Sequence, residues 1–219
     1  MMLFSRTRAA NKGFTLLELA ITLGIAGLVL GSLARVLDSS KSTYGRGSAM
    51  AQVQNDARRT LDRVATELEN SGFGTLLPNP VGVAVDDLVF QAATGIDGTT
   101  GALLFGNSSR LRFVYESGEM NNGLDDDSDG LVDEGNLVFT RNYLLAGEVR
   151  VVLAHGVAEL LEGEIANGAD DNGNGLVDEG GFCMTRTGNL LRVRLTLVRP
   201  VTGGDPAMAT IETALRLKN

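Results

Sequence analysis

The sequence predicts an α+β fold in which one long N-terminal helix packs on an antiparallel β-sheet. Three observations predict it. The 22 residues from Gly13 to Ala34 carry Glu18 as their only charge, and that length suits a helix spanning a bilayer. From Met50 onward, apolar residues recur at spacings of three and four, as in an amphipathic helix. Beyond Gly72, short apolar runs alternate with turn residues, which is typical of strands.

The helix is expected to begin in the membrane and to continue outside it. Its membrane-spanning first half covers residues 14–38, and its second half covers residues 39–72. Serines and glycines in residues 39–48 predict a kink or a break, and Gly72 is predicted to be a glycine C-cap. The core-facing stripe of the second half is formed by Met50, Val53, Ala57, Leu61, Val64 and Leu68.

The rest of the chain, residues 73–219, is predicted to be a β-rich globular domain outside the cytoplasm. Pro78 and Pro80 mark a linker into the sheet, and glycine- and threonine-rich residues 95–106 predict a loop. The candidate strands are residues 82–90, 110–116, 137–141, 149–154, 157–165, 190–199 and 210–217.

Charge and cysteine content restrict the possible functions. The formal net charge is −8, and it is −11 once the three basic residues before Gly13 are set aside, so nucleic acid is not an expected partner. The single cysteine, Cys183, excludes an intramolecular disulfide. A membrane-anchored, calcium-dependent enzyme is an alternative class, but neither His155 nor Cys183 belongs to a recognisable catalytic motif. The chain is therefore not expected to be an enzyme.

Two acidic segments repeat 45 residues apart: loop one, residues 122–135, and loop two, residues 167–180. Both contain Asp-x-[Asp/Asn]-x-[Asp/Asn]-Gly followed by Asp-Glu, and such a spacing of oxygen ligands before a glycine wraps a calcium-sized cation. The pattern predicts two structural Ca²⁺ sites. The ligands predicted in loop one are Asp125, Asp127, Asp129, the carbonyl of Leu131, and Asp133 or Glu134. Those predicted in loop two are Asp170, Asn172, Asn174, the carbonyl of Leu176, and Asp178 or Glu179.

Both loops resemble EF-hand or dockerin-type calcium loops but lack the closing glutamate of the EF-hand. Asn136 and Gly181 stand at the twelfth positions, so the closing carboxylate must come from the Asp-Glu pair of each loop. Loop one carries more negative charge and is expected to bind calcium more tightly. The alternative is that both loops are ordinary solvated acidic turns.

The N-terminal segment resembles the type IV pilin signature in the run Lys12-Gly13-Phe14-Thr15-Leu16-Leu17-Glu18. The resemblance implies that a prepilin peptidase removes residues 1–13 by cutting after Gly13 and methylates the new N-terminal Phe14. It also implies a single-pass inner-membrane protein that later enters a pilus or pseudopilus at the cell surface. Its N-terminus would be cytoplasmic and its head periplasmic, in agreement with the positive-inside rule.

Glu18 poses an energetic question, because an acidic side chain at the centre of a membrane helix costs about 2.5–3.5 kcal/mol. In an assembled filament, the amine of Phe14 in a neighbouring subunit can pair with this carboxylate and offset the cost of removing it from water. The alternative is a signal-anchor glutamate that reaches the membrane interface.

Short motifs further along the chain resemble the PilW-type minor pilins. They lie at the end of the helix (residues 67–74), before loop two (residues 156–161) and at the C-terminus (residues 214–219). The resemblance implies a pilin-like fold and a low-abundance subunit that helps initiate or cap type IV pilus assembly with other minor and major pilins. Two alternatives stay open: a J-type minor pseudopilin of a type II secretion system, and a membrane-anchored calcium-binding adhesin or tip module.

Overall fold

The computed structural model describes residues 15–201 and 204–218. The predicted α+β architecture is confirmed, since a long N-terminal helix packs on a seven-stranded antiparallel sheet. The elements are α1 (Leu16–Leu68), a 3-10 helix (Phe73–Thr75), β1 (Asp87–Ile96), β2 (Leu103–Tyr115), β3 (Gly135–Arg141), β4 (Val149–Val157), β5 (Phe182–Thr187), β6 (Leu190–Arg199) and β7 (Ala207–Arg216).

The described residues divide into two units, one that ends at Tyr44 and one that begins at Gly45. In the described part of the first unit, α1 is exposed along its whole length, including its apolar side chains from Leu16 to Leu37. By length and composition, α1 contains a segment that suits a membrane span. An exposed apolar helix of this length requires a bilayer or partner helices around it.

In the second unit, the stripe of α1 enters the hydrophobic core as the sequence predicts. Val53, Ala57, Leu61, Val64 and Leu68 are buried, and Met50 packs partly buried against the same core. Burying a valine or leucine side chain stabilises the fold by about 1.5–3 kcal/mol. The stripe therefore holds the second half of α1 on the sheet.

The predicted break in residues 39–48 is wrong, because α1 continues through this segment. The hydroxyls of Ser40, Ser42 and Thr43 donate hydrogen bonds to carbonyls three or four residues earlier, at 2.7–2.9 Å. A hydroxyl that bonds within its own helix does not compete with the helical backbone for partners.

The end of α1 also differs from the prediction. The helix ends at Leu68, and Gly72 has a φ of −80°, so it is not the left-handed C-cap that the sequence suggests. Glycine is needed here for space, since a Cβ at Gly72 would lie 2.2 Å from the ring of Phe105. Close packing of the backbone against β2 explains this residue.

The strand order is β1-β2-β3-β4-β6-β5, and β7 pairs along the length of β6. All of these pairs are antiparallel, and β4 meets β6 at Val157 and Leu197. The sheet therefore has β1–β4 on one side of this junction and β5–β7 on the other.

Several strand boundaries differ from the sequence prediction. The first strand begins at Asp87, not at residue 82, and the predicted loop at residues 95–106 shortens because β1 extends to Ile96 and β2 begins at Leu103. Residues 158–165 lie outside the named strands, so the predicted strand 157–165 is wrong. Strand β5 was not predicted, because its six residues follow directly on the acidic loop and show no alternation of buried and exposed positions.

Candidate metal centres and the start of the helix

Loop one and loop two close antiparallel pairs at equivalent positions. Tyr115 pairs with Gly135 at the base of loop one, and Leu160 pairs with Gly180 at the base of loop two. These pairs are related by the same offset of 45 residues as the sequence repeat. The two loops are therefore equivalent insertions in the sheet framework.

The backbones of the two loops have the same left-handed turns. Gly130 and Gly175, which occupy the glycine position of the motif, have φ angles of +94° and +91°, and glycine adopts this region without the steric penalty that a Cβ brings. Five matched pairs have positive φ: Gly118/Gly163, Gly123/Gly168, Ser128/Gly173, Gly130/Gly175 and Asp133/Asp178.

The first residue of each motif organises its loop. The carboxylate of Asp125 accepts hydrogen bonds from the backbone N–H groups of Asp129 at 3.2 Å and Gly130 at 3.0 Å. Asp170 accepts the equivalent bonds from Asn174 at 3.0 Å and Gly175 at 2.8 Å. These bonds curl each loop around its first carboxylate.

The structure brings the predicted carboxylates of loop one together. Oxygens of Asp127, Asp129 and Glu134 lie within 4.8 Å of one another, and so do oxygens of Glu119, Asp125 and Asp127. Asp127 belongs to both groups and so links the five side chains into one acidic cluster, the centre of loop one. In loop two, the amide oxygens of Asn172 and Asn174 accept the same loop N–H groups as the carboxylate oxygens of Asp127 and Asp129.

The two members of each Asp-Glu pair have different surroundings. The two carboxylate oxygens of Asp133 accept the N–H groups of Asn122 and Gly123, at 3.0 and 2.7 Å. Asp178 binds Asn167 and Gly168 in the same way, at 3.1 and 2.8 Å. These hydrogen bonds join the first residues of each loop to an aspartate near its end. The geometry therefore favours the following residue, the glutamate, as the closing carboxylate.

Glu134 is fully buried, and neither of its carboxylate oxygens has a hydrogen-bond partner among the described residues. The pKa of Glu134 is raised to about 7, chiefly by burial away from water and to a smaller extent by the negative charges of Asp129, Glu119 and Asp127. A divalent cation at the centre would reverse this effect, because it stabilises the ionised carboxylates around it.

In loop two, Glu179 is also buried, with 1% of its surface exposed, and neither oxygen has a hydrogen-bond partner in the described chain. Its nearest positive charge is Arg194 of β6, whose Nη1 lies 4.0 Å from Oε1 of Glu179. The Nε of Arg194 donates to Glu212 of β7 at 2.8 Å. The arginine thus lies between two carboxylates.

Sequence reasoning missed two buried carboxylates, Glu119 and Glu164. Oε1 of Glu119 accepts the N–H groups of Asp126 and Asp127, both at 3.0 Å, and Oε1 of Glu164 accepts that of Asn172 at 3.1 Å. The signal was present, because Gly118-Glu119 and Gly163-Glu164 are also 45 residues apart. Extending the repeat by four residues toward the N-terminus includes both.

The other predicted ligands are the carbonyls of Leu131 and Leu176. The Leu131 side chain is buried and that of Leu176 is half-buried. Each backbone N–H donates to the preceding motif residue, Asp129 at 2.9 Å or Asn174 at 3.0 Å. The assignment of the two carbonyls stays a prediction.

Helix α1 begins with a capping box. The N–H and hydroxyl of Thr15 donate to Oε2 of Glu18, at 2.9 and 3.0 Å, and the N–H of Glu18 donates back to the Thr15 hydroxyl at 3.2 Å. The threonine and glutamate three residues apart were a signal for this cap. Gly13 and Phe14, the predicted processing residues, lie outside the described residues.

The histidine and the cysteine lie on strands that do not pair with each other. His155 is exposed on β4, whereas Cys183 is buried in β5. Burial raises the pKa of the Cys183 thiol to about 12, which disfavours the reactive thiolate.

Comparison with known protein families gives one match: residues 8–34 fit the model described as the prokaryotic N-terminal methylation motif. This motif indicates a pilin-like chain, either a pilin or a pseudopilin, that is processed by prepilin peptidase and assembles with other pilins. With the apolar N-terminal helix, it fits an inner-membrane-anchored protein. No curated protein and no solved structure matched the chain.

Proposed function

We propose that this chain is a minor pilin that helps initiate or cap type IV pilus assembly and that calcium at loop one and loop two stabilises its head. The observation that carries the proposal is the methylation motif at residues 8–34, which leads directly into a long helix with an exposed apolar first part. The head contributes a structural surface, and the proposal gives it no catalytic role.

The first part of α1 suits a pilin both before and after assembly into the filament. Its apolar side chains would lie in the inner membrane before assembly and would pack against other pilin helices afterwards. The carboxylate of Glu18, which Thr15 caps in the single chain, would pair with the methylated amine of Phe14 of a neighbouring subunit. This pairing would favour assembly because it neutralises a charge held in an apolar environment.

Calcium binding is supported by the buried carboxylates of Glu134 and Glu179, which accept no hydrogen bond in the described chain, and by the convergence of carboxylates in loop one. Oxygen ligands alone suit a hard cation such as Ca²⁺. With one cysteine and therefore no internal disulfide, metal ions would order two long loops that otherwise contain repelling charges.

The finer assignment, a PilW-type subunit, rests on the short motifs in residues 67–74, 156–161 and 214–219. The test is a strain that lacks this chain, in which surface pili are counted and exported enzymes are assayed in the medium. We expect few or no pili with normal secretion. Normal pili with exported enzymes trapped in the periplasm would instead identify a J-type pseudopilin of a type II secretion system.

The pairing of Glu18 has its own test. Glu18→Ala should be processed after Gly13 but should enter filaments poorly, as measured by comparing processed and filament-incorporated protein. Thr15→Ala is the matched control, because it breaks the capping box while it keeps the Glu18 charge. Equal loss of incorporation in both variants would mean that the helix cap matters and that the intersubunit pair does not.

A further inference from the structure

We propose that Glu119 and Glu164, which precede loop one and loop two, are ligands of the two calcium ions. In an EF-hand the closing carboxylate comes from within the loop, whereas here a carboxylate that precedes each loop completes the coordination. This inference rests on the proposed calcium binding and adds one specific residue to each site. Both glutamates are buried, with 6% and 8% of their surface exposed, although each lies between a turn and an acidic loop.

The first line of support is the geometry of loop one. A carboxylate oxygen of Glu119 lies within 4.8 Å of oxygens of Asp125 and Asp127, the first and third residues of the motif. An oxygen of Glu134 lies within the same distance of oxygens of Asp127 and Asp129. One cation at the shared position would contact side chains from before, within and after the turn.

The second line of support is independent of this clustering, because it concerns buried oxygens without partners. In the described chain, both oxygens of Glu134, both oxygens of Glu179, and Oε2 of Glu164 are buried and accept no hydrogen bond. A buried polar group that lacks a partner costs roughly 1–3 kcal/mol, and more when it is charged. Glu134 and Glu179 occupy equivalent positions in the two loops, which indicates a common partner. Oε2 of Glu119, the counterpart of the unpartnered oxygen of Glu164, accepts the N–H group of Asp133.

The third line of support is the number of ligands. Calcium takes about six to eight oxygen ligands. The twelfth position carries no carboxylate in either loop. Both oxygens of Asp133 and of Asp178 accept N–H groups at the start of the loop, and Asp133 belongs to neither group of converging carboxylates. The three motif side chains, one carbonyl and the closing glutamate leave the shell short of oxygens unless that glutamate is bidentate. Glu119 or Glu164 supplies the remaining one.

Glu119 and Glu164 also brace their loops. Oε1 of Glu119 accepts the N–H groups of Asp126 and Asp127, and its Oε2 accepts that of Asp133 at 3.2 Å, whereas Oε1 of Glu164 accepts a single N–H group, from Asn172. A test must therefore separate ligation from bracing. In Glu164→Gln, the amide keeps a carbonyl oxygen that can accept the N–H group of Asn172, but the negative charge and one oxygen donor are lost. In Glu119→Gln, an NH2 group replaces one of the two accepting oxygens, so part of the brace is lost as well. At Glu164 a brace would survive this change, whereas a ligand would be weakened. The Glu164 variant therefore separates the two roles, and the water count extends the test to Glu119.

The experiment uses the full chain in detergent micelles, with one loop inactivated at a time. Glu119→Gln is studied with loop two inactivated by Asp170→Ala, and Glu164→Gln with loop one inactivated by Asp125→Ala. Calorimetry measures Ca²⁺ affinity, and luminescence lifetimes of bound Tb³⁺ in H₂O and D₂O count the water molecules on the ion. Glu116→Gln and Glu162→Gln are the matched controls, since each removes a nearby charge outside the groups of converging carboxylates.

We expect each ligand variant to bind Ca²⁺ at least tenfold more weakly and to admit one or two additional waters to bound Tb³⁺, while the controls change neither value. An unchanged water count in both ligand variants would overturn the inference and leave the glutamates as braces. Failure of the unmodified chain to bind Ca²⁺ or Tb³⁺ would overturn the calcium part of the proposed function as well. If Glu119→Gln does not fold, Glu164→Gln decides, because its side chain makes a single hydrogen bond.

Discussion

The loop between β2 and β3 and the loop between β4 and β5 follow the same backbone path but surround their centres with different charge. Loop one has Asp127 and Asp129 where loop two has Asn172 and Asn174, yet the same backbone N–H groups bind these side chains in both. A neutral amide oxygen satisfies the backbone as well as a carboxylate oxygen does. The loop conformation thus depends on acceptor oxygens, whereas the charge determines how strongly each centre needs a cation.

The surroundings of the closing glutamates extend this difference. In loop two, Nη1 of Arg194 lies 4.0 Å from Oε1 of Glu179. In loop one, Glu134 forms no ion pair among the described residues. Loop one therefore has more negative charge than loop two, and it has no equivalent of Arg194 to compensate that charge among the described residues. We expect metal to contribute more to loop one than to loop two, and the following predictions test that expectation.

The largest effect is expected from calcium removal. At a calcium concentration about 100 times the Kd, one site stabilises the folded state by about 2.7 kcal/mol, which corresponds to a rise in Tm of about 5–11 °C for a chain of this size. Calorimetry of the full chain with calcium and with a chelator should show a shift of this order. Asp125→Ala should remove more of the shift than Asp170→Ala, and the opposite order would contradict the comparison.

A pH dependence should distinguish loop one in the calcium-free protein. The pKa of Glu134 is raised to about 7 in the folded state, above its ordinary value near 4.5, so the folded state binds a proton that the unfolded state has released. Stability should therefore fall as the pH rises from about 4.5 to about 7, by on the order of 2–3 kcal/mol. Measurement of Tm against pH, in the presence of a chelator, tests this.

Glu134→Gln is the control for the pH experiment, since it cannot ionise. It should flatten the fall in Tm across this pH range, and saturating calcium should do the same in the unmodified chain by stabilising the ionised carboxylate. A fall of the same size in Glu134→Gln would assign the pH dependence to other groups.

Exchange of the charges should exchange the affinities. Asp127→Asn with Asp129→Asn gives loop one the side chains of loop two, and Asn172→Asp with Asn174→Asp does the reverse. We expect the first pair to weaken calcium binding at loop one at least tenfold, or about 1.4 kcal/mol, and the second pair to strengthen binding at loop two. Calorimetric titration measures both. Unchanged affinities would show that charge does not distinguish the loops.

The smallest effect is expected from Arg194. Arg194→Met removes the positive charge near Glu179 and should strengthen calcium binding at loop two a few-fold, because the arginine repels the cation. The calcium-free variant should melt at a lower temperature than the unmodified chain. Arg192→Met is the matched control, as Arg192 pairs with Glu212 and forms no ion pair with Glu179 in the described structure. Equal effects of the two variants on affinity would exclude a specific role for Arg194.

The elements that the sequence predicts well are those set by local patterns. The stripe from Val53 to Leu68 is buried as predicted, since helical periodicity places these residues on one face whatever they pack against. Strands were predicted less accurately. The segment after Val157 leaves the strand and β5 was missed, because apolar residues next to a long loop become strands only where a neighbouring strand provides hydrogen bonds.

The sequence by itself determined the membrane-type helix, the prepilin signature and the two acidic loops, because each depends on composition and spacing within a short segment. Only the tertiary structure decided which carboxylates converge in loop one. Adjacent residues such as Asp133 and Glu134 are equally good ligands in sequence, but one binds the loop backbone and the other is buried toward the centre. Glu119 joins that centre because the turn after β2 folds back on the loop. The spacing of residues within one segment does not predict a contact of this kind.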